Sequence, residues 1–295
     1  MLVRALGSEL KLDVAETSYR GHASQLTAEA VRDGRELVVA LGGDGTVNEV
    51  VNGLMAGGVA GALLGVVPGG GANVFARALG LPTDPVQATS ALLDALRAGS
   101  SRSLSLGRAD ERWFTFTAGL GLDATAVKVV ERARRTGRTA TAGGYLRATV
   151  RSYLGRPDRR QPAISLSLPG EPPVSGLHLV IASNTAPWTW FGDRPIQLSP
   201  AASFATGLDV LAMRRLGPLA VSRASLGMLW PRGVGPRGRG VIRWHDLAEL
   251  RLEANRPLDF EVDGDYLGER ESVTLRCVRD ALHVLVPPQP AAEPA

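Results

Sequence analysis

The sequence has 295 residues, of which 44% are hydrophobic and 5% aromatic, and its formal net charge is +4. This length fits one large domain or two medium ones, with a core built mainly from Val, Leu and Ala. The single cysteine, Cys277, excludes an internal disulfide and a multi-cysteine zinc site, and four scattered histidines argue against a histidine-based metal site. No apolar run reaches the roughly 20 residues that a helix needs to cross a bilayer.

The first hundred residues alternate between strand-like and helix-like segments. Strands are predicted over 10–17, 36–41 and 62–67, and helices over 22–31, 46–54, 73–79 and 85–98. This β-α-β-α order indicates an α/β layered domain. The short, all-apolar strands are typical of a parallel sheet that is covered on both faces.

The pattern changes near residues 99–105, where we place a domain boundary. Short β candidates then predominate and suggest a sandwich or barrel, over 101–108, 112–118, 163–168, 177–183, 208–214, 247–254, 258–262, 272–277 and 281–286. Two helices are predicted over 123–135 and 145–153. The predicted division is an α/β domain (1–100), a β-rich domain (101–286) and a disordered Pro/Ala-rich tail (287–295).

A glycine turn follows the second predicted strand and carries an acid. It reads Gly42-Gly43-Asp44-Gly45-Thr46, and helix-forming sequence begins at once. Glycines let backbone N–H groups approach an anion, and the helix directs its positive end to the same place. The motif therefore predicts a phosphate site beside a carboxylate, although a tight strand-to-helix turn alone would also explain it. The glycine spacing fits neither a Walker loop nor a G-x-G-x-x-G fingerprint.

A second glycine turn, Pro68-Gly69-Gly70-Gly71, follows the next predicted strand and again precedes a helix. Two such turns at the ends of neighbouring parallel strands would face one crevice, where open α/β sheets bind ligands. The pair favours a nucleotide site over a structural coincidence.

At these residues the sequence resembles the diacylglycerol kinase catalytic domain superfamily, which includes bacterial diacylglycerol kinases and YegS-like lipid kinases. The first turn with Asn48-Glu49 matches one motif, and the stretch 68–82 matches the second. Gly119-Leu120-Gly121-Leu122-Asp123-Ala124 resembles the third motif, and Val262-Asp263-Gly264-Asp265 resembles the fourth. The resemblance implies an α/β plus β architecture, with a nucleotide-binding first domain (1–100) and a β-sandwich-like lipid-substrate second domain (101–286). It also implies that the active site lies in the cleft between the domains.

The resemblance also implies roles for individual residues. ATP would be held by Thr17, by the first turn and helix start (Gly42, Gly43, Asp44, Gly45, Thr46, Val47 and Asn48) and by the second turn (Gly69, Gly70, Gly71 and Asn73). Asp44 is also expected to act through Mg²⁺, which binds one or two carboxylates together with phosphate oxygens. Asp123 is expected to be a catalytic acid at the domain junction. Some of these residues also have a purely structural alternative. Thr17 could be an ordinary polar residue at a strand end, and Asp123 could be a helix N-cap. Asn48 and Glu49 could cap their helix, and for these two we favour a mixed role.

Asp265 stands where the family usually has Glu as the base that takes the proton from the lipid hydroxyl. Asp keeps the same chemistry with a shorter reach, and position matters more than basicity in phosphoryl transfer. The alternative is a hairpin turn residue, because Asp263-Gly264 is strong turn chemistry by itself. Glu269 is a second carboxylate nearby.

Several positions depart from the family pattern. Gly71 and Val74 replace a threonine and an aspartate of the second motif, so one hydroxyl and one acid are missing. Some members bind a structural Mg²⁺ through two spaced acids, but here the first acid is Thr206, which leaves Asp209 as a doubtful ligand. The sequence starts after the family's first strand and its Asn-Pro-x-Ser-Gly turn. We therefore expect a form extended upstream to be more stable than this one, because a lost central strand exposes an apolar edge.

Basic residues cluster in three stretches, 132–138, 156–160 and 232–243, and the aromatic residues Trp188, Trp190, Phe191 and Trp230 lie near the last in sequence. Such a surface suits an anionic membrane interface, with solvated loops as the alternative. The arginine-rich linkers lack the stacking aromatics that would suggest nucleic acid.

The sequence therefore predicts a cytoplasmic, ATP- and Mg²⁺-dependent lipid kinase that meets its substrate at the inner face of the membrane. Its expected reaction transfers the γ-phosphoryl group to a lipid hydroxyl, first of all that of diacylglycerol, to give phosphatidic acid for phospholipid metabolism. A homodimer is left open as its assembly. The alternatives are a kinase of sphingosine or another long-chain alcohol, an NAD kinase, and an inactive nucleotide- or lipid-binding regulator.

Overall fold

The computed structural model describes residues 6–57, 62–121, 161–229 and 234–288. The chain divides into two compact units: the first comprises the chain up to Leu104 and again from Asp280, and the second comprises Ser105–Arg279. The predicted fold class, an α/β region followed by a strand-rich region, is confirmed. The units differ from the predicted domains in the residues from Asp280 onward, which group with the first unit. The roles assigned to the domains stay predictions, and the predicted tail lies outside the described residues from position 289.

The first unit is built on parallel strands flanked by helices. Strands β1 and β2 pair in parallel from Leu37↔Leu63 to Gly42↔Pro68, and Val284 of β14 pairs in parallel with Leu64. Val67, Leu92 and Leu285 pack together in its core. Its described elements are α1 His22–Arg32, β1 Leu37–Gly42, α2 Asp44–Ala56, β2 Leu63–Pro68, α3 Val74–Ala78 and α4 Pro85–Ala98.

Helix α4 shows how local sequence sets the bounds of an element. The Asp84 carboxylate accepts the N–H groups of Val86 and Gln87, and Pro85 occupies the first turn, where its missing N–H is harmless. The helix ends at Gly99, whose φ of 60° is a left-handed conformation that glycine adopts readily.

The predicted strand over 10–17 is wrong. This segment has no regular secondary structure, and Val14 is 64% exposed. Alternating polar and apolar residues form a strand where a neighbouring strand completes the hydrogen bonds. In the described residues, β1 pairs with β2 alone and Leu41 at its end is 55% exposed, so no strand from 10–17 covers that edge.

The second unit is an antiparallel, strand-rich structure. Its strands follow the order β14-β13-β5-β8-β11-β12, with β6 also paired to β13, β7 to β6, and β4 to β3. A core of apolar residues that includes Phe114, Leu120 and Leu250 lies within it. The strands are β3 Ser101–Ala109, β4 Arg112–Phe114, β5 Thr117–Gly121, β6 Ile164–Ser167, β7 Val174–Leu177, β8 Leu179–Ser183, β9 Thr189–Phe191, β10 Arg194–Ile196, β11 Leu208–Met213, β12 Val241–Leu247, β13 Glu249–Val262 and β14 Asp265–Leu285.

Several predicted elements of this unit need correction. The predicted strand 112–118 is divided into β4 and β5, whereas the predicted pair 247–254 and 258–262 forms the single strand β13. Pro257 lies between the two predicted segments, and the strand continues through it with a register shift between Glu253 and Leu258. The sequence missed the β9–β10 hairpin, strand β12 and helix α5, Pro218–Leu229. The predicted helices 123–135 and 145–153 lie outside the described residues.

Candidate nucleotide and acceptor sites

The two glycine turns of the first unit pack against each other, backbone on backbone. The N–H of Gly69 donates to the carbonyl oxygen of Gly42 over 2.8 Å. A Cβ atom on Gly70 would lie 2.7 Å from the Cα of Gly43, and one on Gly43 would lie 3.2 Å from the Cα of Gly70. This close approach requires glycine on both sides. The predicted juxtaposition of the two turns is thus a feature of the structure.

Asn73 shapes the second turn from within. Its side-chain Oδ1 accepts the N–H of Gly70 over 2.9 Å, and its Nδ2 donates to the carbonyl oxygen of the same residue over 2.8 Å. The residue adopts a left-handed conformation with φ of 47° and is 6% exposed. The side chain of Asn73 therefore closes the turn, and its predicted contact with ATP stays a prediction.

Asp44 links the first turn to the second. Its Oδ1 accepts the N–H of Phe75, in the first turn of α3, over 3.1 Å. Burial raises the pKa of Asp44, and the N–H groups of Phe75 and Val74 act in the opposite direction. The residue as a whole remains partly exposed. Its carboxylate thus stands where the two turns meet, at a partly exposed position.

The helix N-termini of the first unit differ in what covers them. For α1, Glu49 supplies both carboxylate oxygens, to the N–H groups of Gly21 (2.7 Å) and Ala23 (3.2 Å). The ends of α4 and α3 receive the carboxylates of Asp84 and Asp44. Helix α2 starts after Gly43, which has no side-chain oxygen, and the acid in its first turn is its own Asp44. In the described chain, no carboxylate from another element accepts its first N–H groups. The positive end of α2 is therefore the one that remains available for an external anion.

Other residues predicted to hold phosphate turn inward. Asn48 is 1% exposed, and its Oδ1 and backbone carbonyl oxygen accept hydrogen bonds from Asn52. Val47 is 2% exposed and belongs to the core. Glu49 caps α1, a tertiary role that the sequence pattern did not identify. Thr17 lies exposed in the irregular segment 10–17, and Asp123 lies outside the described residues.

In the second unit, the fourth motif forms a two-residue hairpin turn between β13 and β14. Val262 pairs with Asp265 across it, and Asp263 and Gly264 have φ values of 48° and 77°. Two successive residues with positive φ are the signature of the type I′ turn that joins twisted strands. The predicted turn chemistry is confirmed.

The Asp263 carboxylate is fully engaged. Oδ2 accepts the N–H (2.7 Å) and hydroxyl (2.8 Å) of Thr115, and Oδ1 accepts the N–H groups of Phe116 and Thr117 (2.9 Å each). Burial raises the pKa of Asp263, and these donors oppose that rise. The carboxylate ties the hairpin to the two residues that connect β4 to β5 and to Thr117, the first residue of β5.

Asp265 is the first residue of β14 and is partly exposed, two residues after this anchor. The clamp on Asp263 fixes the backbone from which the Asp265 side chain projects. Glu269 is exposed on the same strand, paired with Asp259 of β13. The pairing of β13 with β14 shifts register between Asp259 and Glu261, so the even spacing of Asp265 and Glu269 does not place their side chains on one face of β14.

The structural metal site that Asp209 would serve does not fit this chain. Asp209 is 3% exposed, and its Oδ1 is bonded to Nδ1 of His245 (2.6 Å) and accepts the N–H of Asp246 (3.3 Å). The Asp246 carboxylate accepts from Gly207 N–H (2.6 Å) and from Arg279 (3.1 Å). Hydrogen-bond donors of the protein thus occupy the carboxylates that would bind a cation, and we propose no metal at this position.

A catalytic Mg²⁺ does fit the first unit. Within the described ranges no cluster of three or more acidic, His or Cys side chains could form an all-protein cage. Mg²⁺ with a nucleotide needs no such cage, because one or two carboxylates with phosphate oxygens and water complete its octahedron. Asp44, partly exposed at the uncovered end of α2, is suited to be that carboxylate.

Comparison with known proteins agrees with this geometry. Residues 3–109 match the family model "Diacylglycerol kinase catalytic domain", so the resemblance of the chain to that superfamily is confirmed. A diacylglycerol kinase from Bacillus subtilis (strain 168) is 25% identical over 279 residues, which cover 94% of this chain and 86% of the relative. A probable lipid kinase, YegS-like, from Pseudomonas aeruginosa is 40% identical over 125 residues, 42% of this chain and 39% of the relative.

A solved structure shows the same fold. The crystal structure of a putative diacylglycerol kinase from Bacillus anthracis str. Sterne superposes with a TM-score of 0.75 at 19% sequence identity, covering 97% of this chain and 90% of that one. Together with the named relatives, the family match supports a lipid kinase. In the described parts of the chain, no helix has the length and apolar character needed to span a membrane.

Proposed function

We propose that the protein is an ATP-dependent lipid kinase that transfers the γ-phosphoryl group of ATP to a lipid hydroxyl, most directly the hydroxyl of diacylglycerol, to give phosphatidic acid. The observation that carries the proposal is the pair of glycine turns, packed at the one helix N-terminus of the described first unit that no other element's carboxylate covers. The family match over residues 3–109 supports the same chemistry.

The donor site would be built from backbone. Phosphate oxygens would accept N–H groups at the start of α2, where the macrodipole favours negative charge. The glycines at 42, 43, 69 and 70 keep Cβ atoms out of this space, and Asn73 keeps the second turn in shape. Asp44 would hold a Mg²⁺ ion, which would neutralise part of the negative charge of the phosphates.

The acceptor site would use a carboxylate of the second unit. We assign the role of general base to Asp265, which is partly exposed and follows a rigid turn. Its carboxylate would accept the proton of the lipid hydroxyl as the new P–O bond forms. Such a base contributes roughly 10²–10⁴-fold to the rate when its position is fixed. The lipid acceptor implies that the protein works at a membrane surface, which we place at the cytoplasmic face.

The experiment is a transfer assay with γ-labelled ATP, Mg²⁺ and mixed micelles that contain diacylglycerol, sphingosine or no lipid, with NAD as a separate acceptor. The proposal expects labelled phosphatidic acid. We expect Asp44→Asn and Asp265→Asn each to lower the rate at least 100-fold. Asp94→Asn is the matched control, because Asp94 is an exposed aspartate of α4 with one long ion pair of 3.6 Å to Arg97.

Each other outcome separates an alternative. Label on sphingosine but not on diacylglycerol would identify a long-chain alcohol kinase. Label on NAD and on no lipid would overturn the proposal, and nucleotide binding without transfer to any acceptor would indicate a regulator. A full rate in Asp265→Asn with loss in Glu269→Gln would move the base to Glu269.

A further inference from the structure

Exposed arginines surround helix α5 in the second unit. We define the arginine patch as Arg214 and Arg215, which follow β11, Arg223 on α5, and Arg237 and Arg239, which precede β12. The kinase proposal assigns these residues no role. They come from three separate stretches of sequence, so their association is a property of the fold.

Close backbone contacts bring the three stretches together. A Cβ atom on Gly227 of α5 would lie 2.7 Å from the carbonyl oxygen of Gly235, so the segment before β12 packs directly on the helix. The N–H of Arg214 donates to the carbonyl oxygen of Gly240 over 2.7 Å. A Cβ atom on Gly238 would lie 4.0 Å from Nε of Arg223.

Among the described residues, no carboxylate compensates the positive charge of the patch. Within residues 161–229 and 234–288, none of its five arginines forms an ion pair with a carboxylate. Arg243 anchors the segment by donating to the carbonyl oxygen of Val234 over 3.1 Å. Burial lowers the pKa of Arg243, and the nearby charge of Arg237 adds to this effect while Asp209 opposes it. Charges of one sign thus accumulate at an exposed surface, which favours an anionic partner.

Aliphatic side chains lie exposed within the same surface. Leu226 is 63% exposed and stands three residues after Arg223, so both occupy one face of α5. Val234 is 36% exposed where the next segment begins. A helix face that combines arginine with a protruding aliphatic residue fits the boundary between lipid headgroups and acyl chains. Single-stranded nucleic acid would instead call for exposed aromatic rings on which bases stack.

We propose that the arginine patch with Leu226 docks the protein on an anionic phospholipid bilayer. The arginines would bind headgroup phosphates, and Leu226 would enter the acyl boundary. This inference goes beyond the phosphoryl-transfer proposal, since it concerns a surface that needs neither nucleotide nor turnover. It is therefore tested by binding alone.

The first test is co-sedimentation of the whole protein with vesicles of phosphatidylglycerol and phosphatidylcholine, beside vesicles of phosphatidylcholine alone. We expect binding to the anionic vesicles that weakens with salt. Each arginine near such a surface contributes about fivefold, so the triple variant Arg214→Glu, Arg223→Glu, Arg237→Glu should bind at least about 100-fold more weakly. The triple variant Arg251→Glu, Arg270→Glu, Arg276→Glu changes the net charge equally outside the patch, and it should bind within a few-fold of the original protein.

The second test reports insertion directly and does not depend on the triple variants folding. Leu226→Cys in a Cys277→Ser background is labelled with an environment-sensitive fluorophore, and Glu171→Cys, in an exposed loop of the same unit, is the control site. We expect a blue shift at position 226 with phosphatidylglycerol vesicles and none at position 171. Equal shifts at both sites, equal binding to neutral vesicles, or tighter binding to duplex DNA or single-stranded RNA than to anionic vesicles would each overturn the proposal.

Discussion

Two aspartates, Asp44 in the first unit and Asp263 in the second, occupy similar positions in different surroundings. Each follows a strand, each accepts N–H groups of a separate segment, and burial raises the pKa of both. Asp263 is 6% exposed and uses both oxygens for four hydrogen bonds. Asp44 is partly exposed and accepts the N–H of Phe75 over 3.1 Å, and the N–H groups of Val74 and Asn73 also lower its pKa. The hydrogen-bonding capacity of the Asp263 carboxylate is thus used by the fold, whereas the Asp44 carboxylate can still bind a ligand.

Asp263→Asn should produce the largest loss of stability. Asn has one acceptor oxygen, so its amide group would face N–H donors that now bond to a carboxylate oxygen. An unsatisfied buried donor costs roughly 1–3 kcal/mol, and we expect the free energy of unfolding to fall by about 3 kcal/mol. Urea denaturation of the variant measures this loss.

Thr115→Val serves as the graded control for this substitution, because it removes the hydroxyl donor and leaves the three N–H bonds to Asp263 in place. It should cost about 1 kcal/mol. If Asp263→Asn were no more destabilising than Thr115→Val, the view of Asp263 as a saturated anchor would be wrong.

Gly70→Ala should produce the next largest effect and tests the packing that positions Asp44. The added methyl group would lie 2.7 Å from the Cα of Gly43, so one turn must move away from the other. Overpacking of this kind costs about 1–3 kcal/mol, and we expect nucleotide affinity to fall with it. Gly71→Ala is the matched control, because a Cβ atom there meets nothing within 4 Å. Thermal denaturation and nucleotide titration of both variants compare them, and equal behaviour would contradict the tight contact.

Local chemistry made part of this comparison predictable. Two apolar strands, each followed by glycines and a helix, were enough to place the two turns together, and Asp263-Gly264 was enough to predict the hairpin. The partner of each carboxylate was not predictable. Glu49 and its donor Gly21 are 28 residues apart, and Asp263 and its donor Thr115 are 148 residues apart. Because of these separations, nothing in the sequence near either acid identifies its donor.

The same limit explains the wrong or missing elements. The alternation over 10–17 satisfied a strand pattern, but strand formation depends on a partner that a local pattern does not specify. Two separate strands were predicted over 247–254 and 258–262, yet β13 runs through Pro257 with a register shift. His245 could not be linked to Asp209 in advance, because their pairing depends on the register between β11 and β12.

Glu49→Gln should have a smaller effect and tests whether that acid acts as a cap alone. The carboxylate accepts the N–H groups of Gly21 and Ala23, while the amide of Gln offers one oxygen and no charge to the start of α1. Loss of a capping interaction costs about 1 kcal/mol. We expect a destabilisation of that size in chemical denaturation, with nucleotide affinity unchanged within a few-fold. A large loss of nucleotide affinity without loss of stability would instead place Glu49 at the ligand.

Asp44→Asn should change stability least, and its sign depends on pH. The folded-state pKa of Asp44 lies above its ordinary value of 3.8, so the folded protein binds this proton more tightly than the unfolded chain does. Stability of the original protein should therefore fall as pH rises from about 3.8 through the raised pKa, and remain lower above it. Asn keeps an acceptor for the N–H of Phe75 and carries no charge, so the variant should lack this decline.

At pH 7 the Asp44→Asn variant should thus be at least as stable as the original protein, although it is expected to lose phosphoryl transfer. Denaturation of both proteins between pH 4 and pH 7, without nucleotide or metal, measures the difference. A variant that is markedly less stable at pH 7 would show that the Asp44 carboxylate is a structural anchor like that of Asp263. A stable, inactive variant would show that the Asp44 carboxylate lowers the stability of the free protein and is needed for activity. This is expected of a carboxylate whose counter-charge is a cation that binds with the ligand.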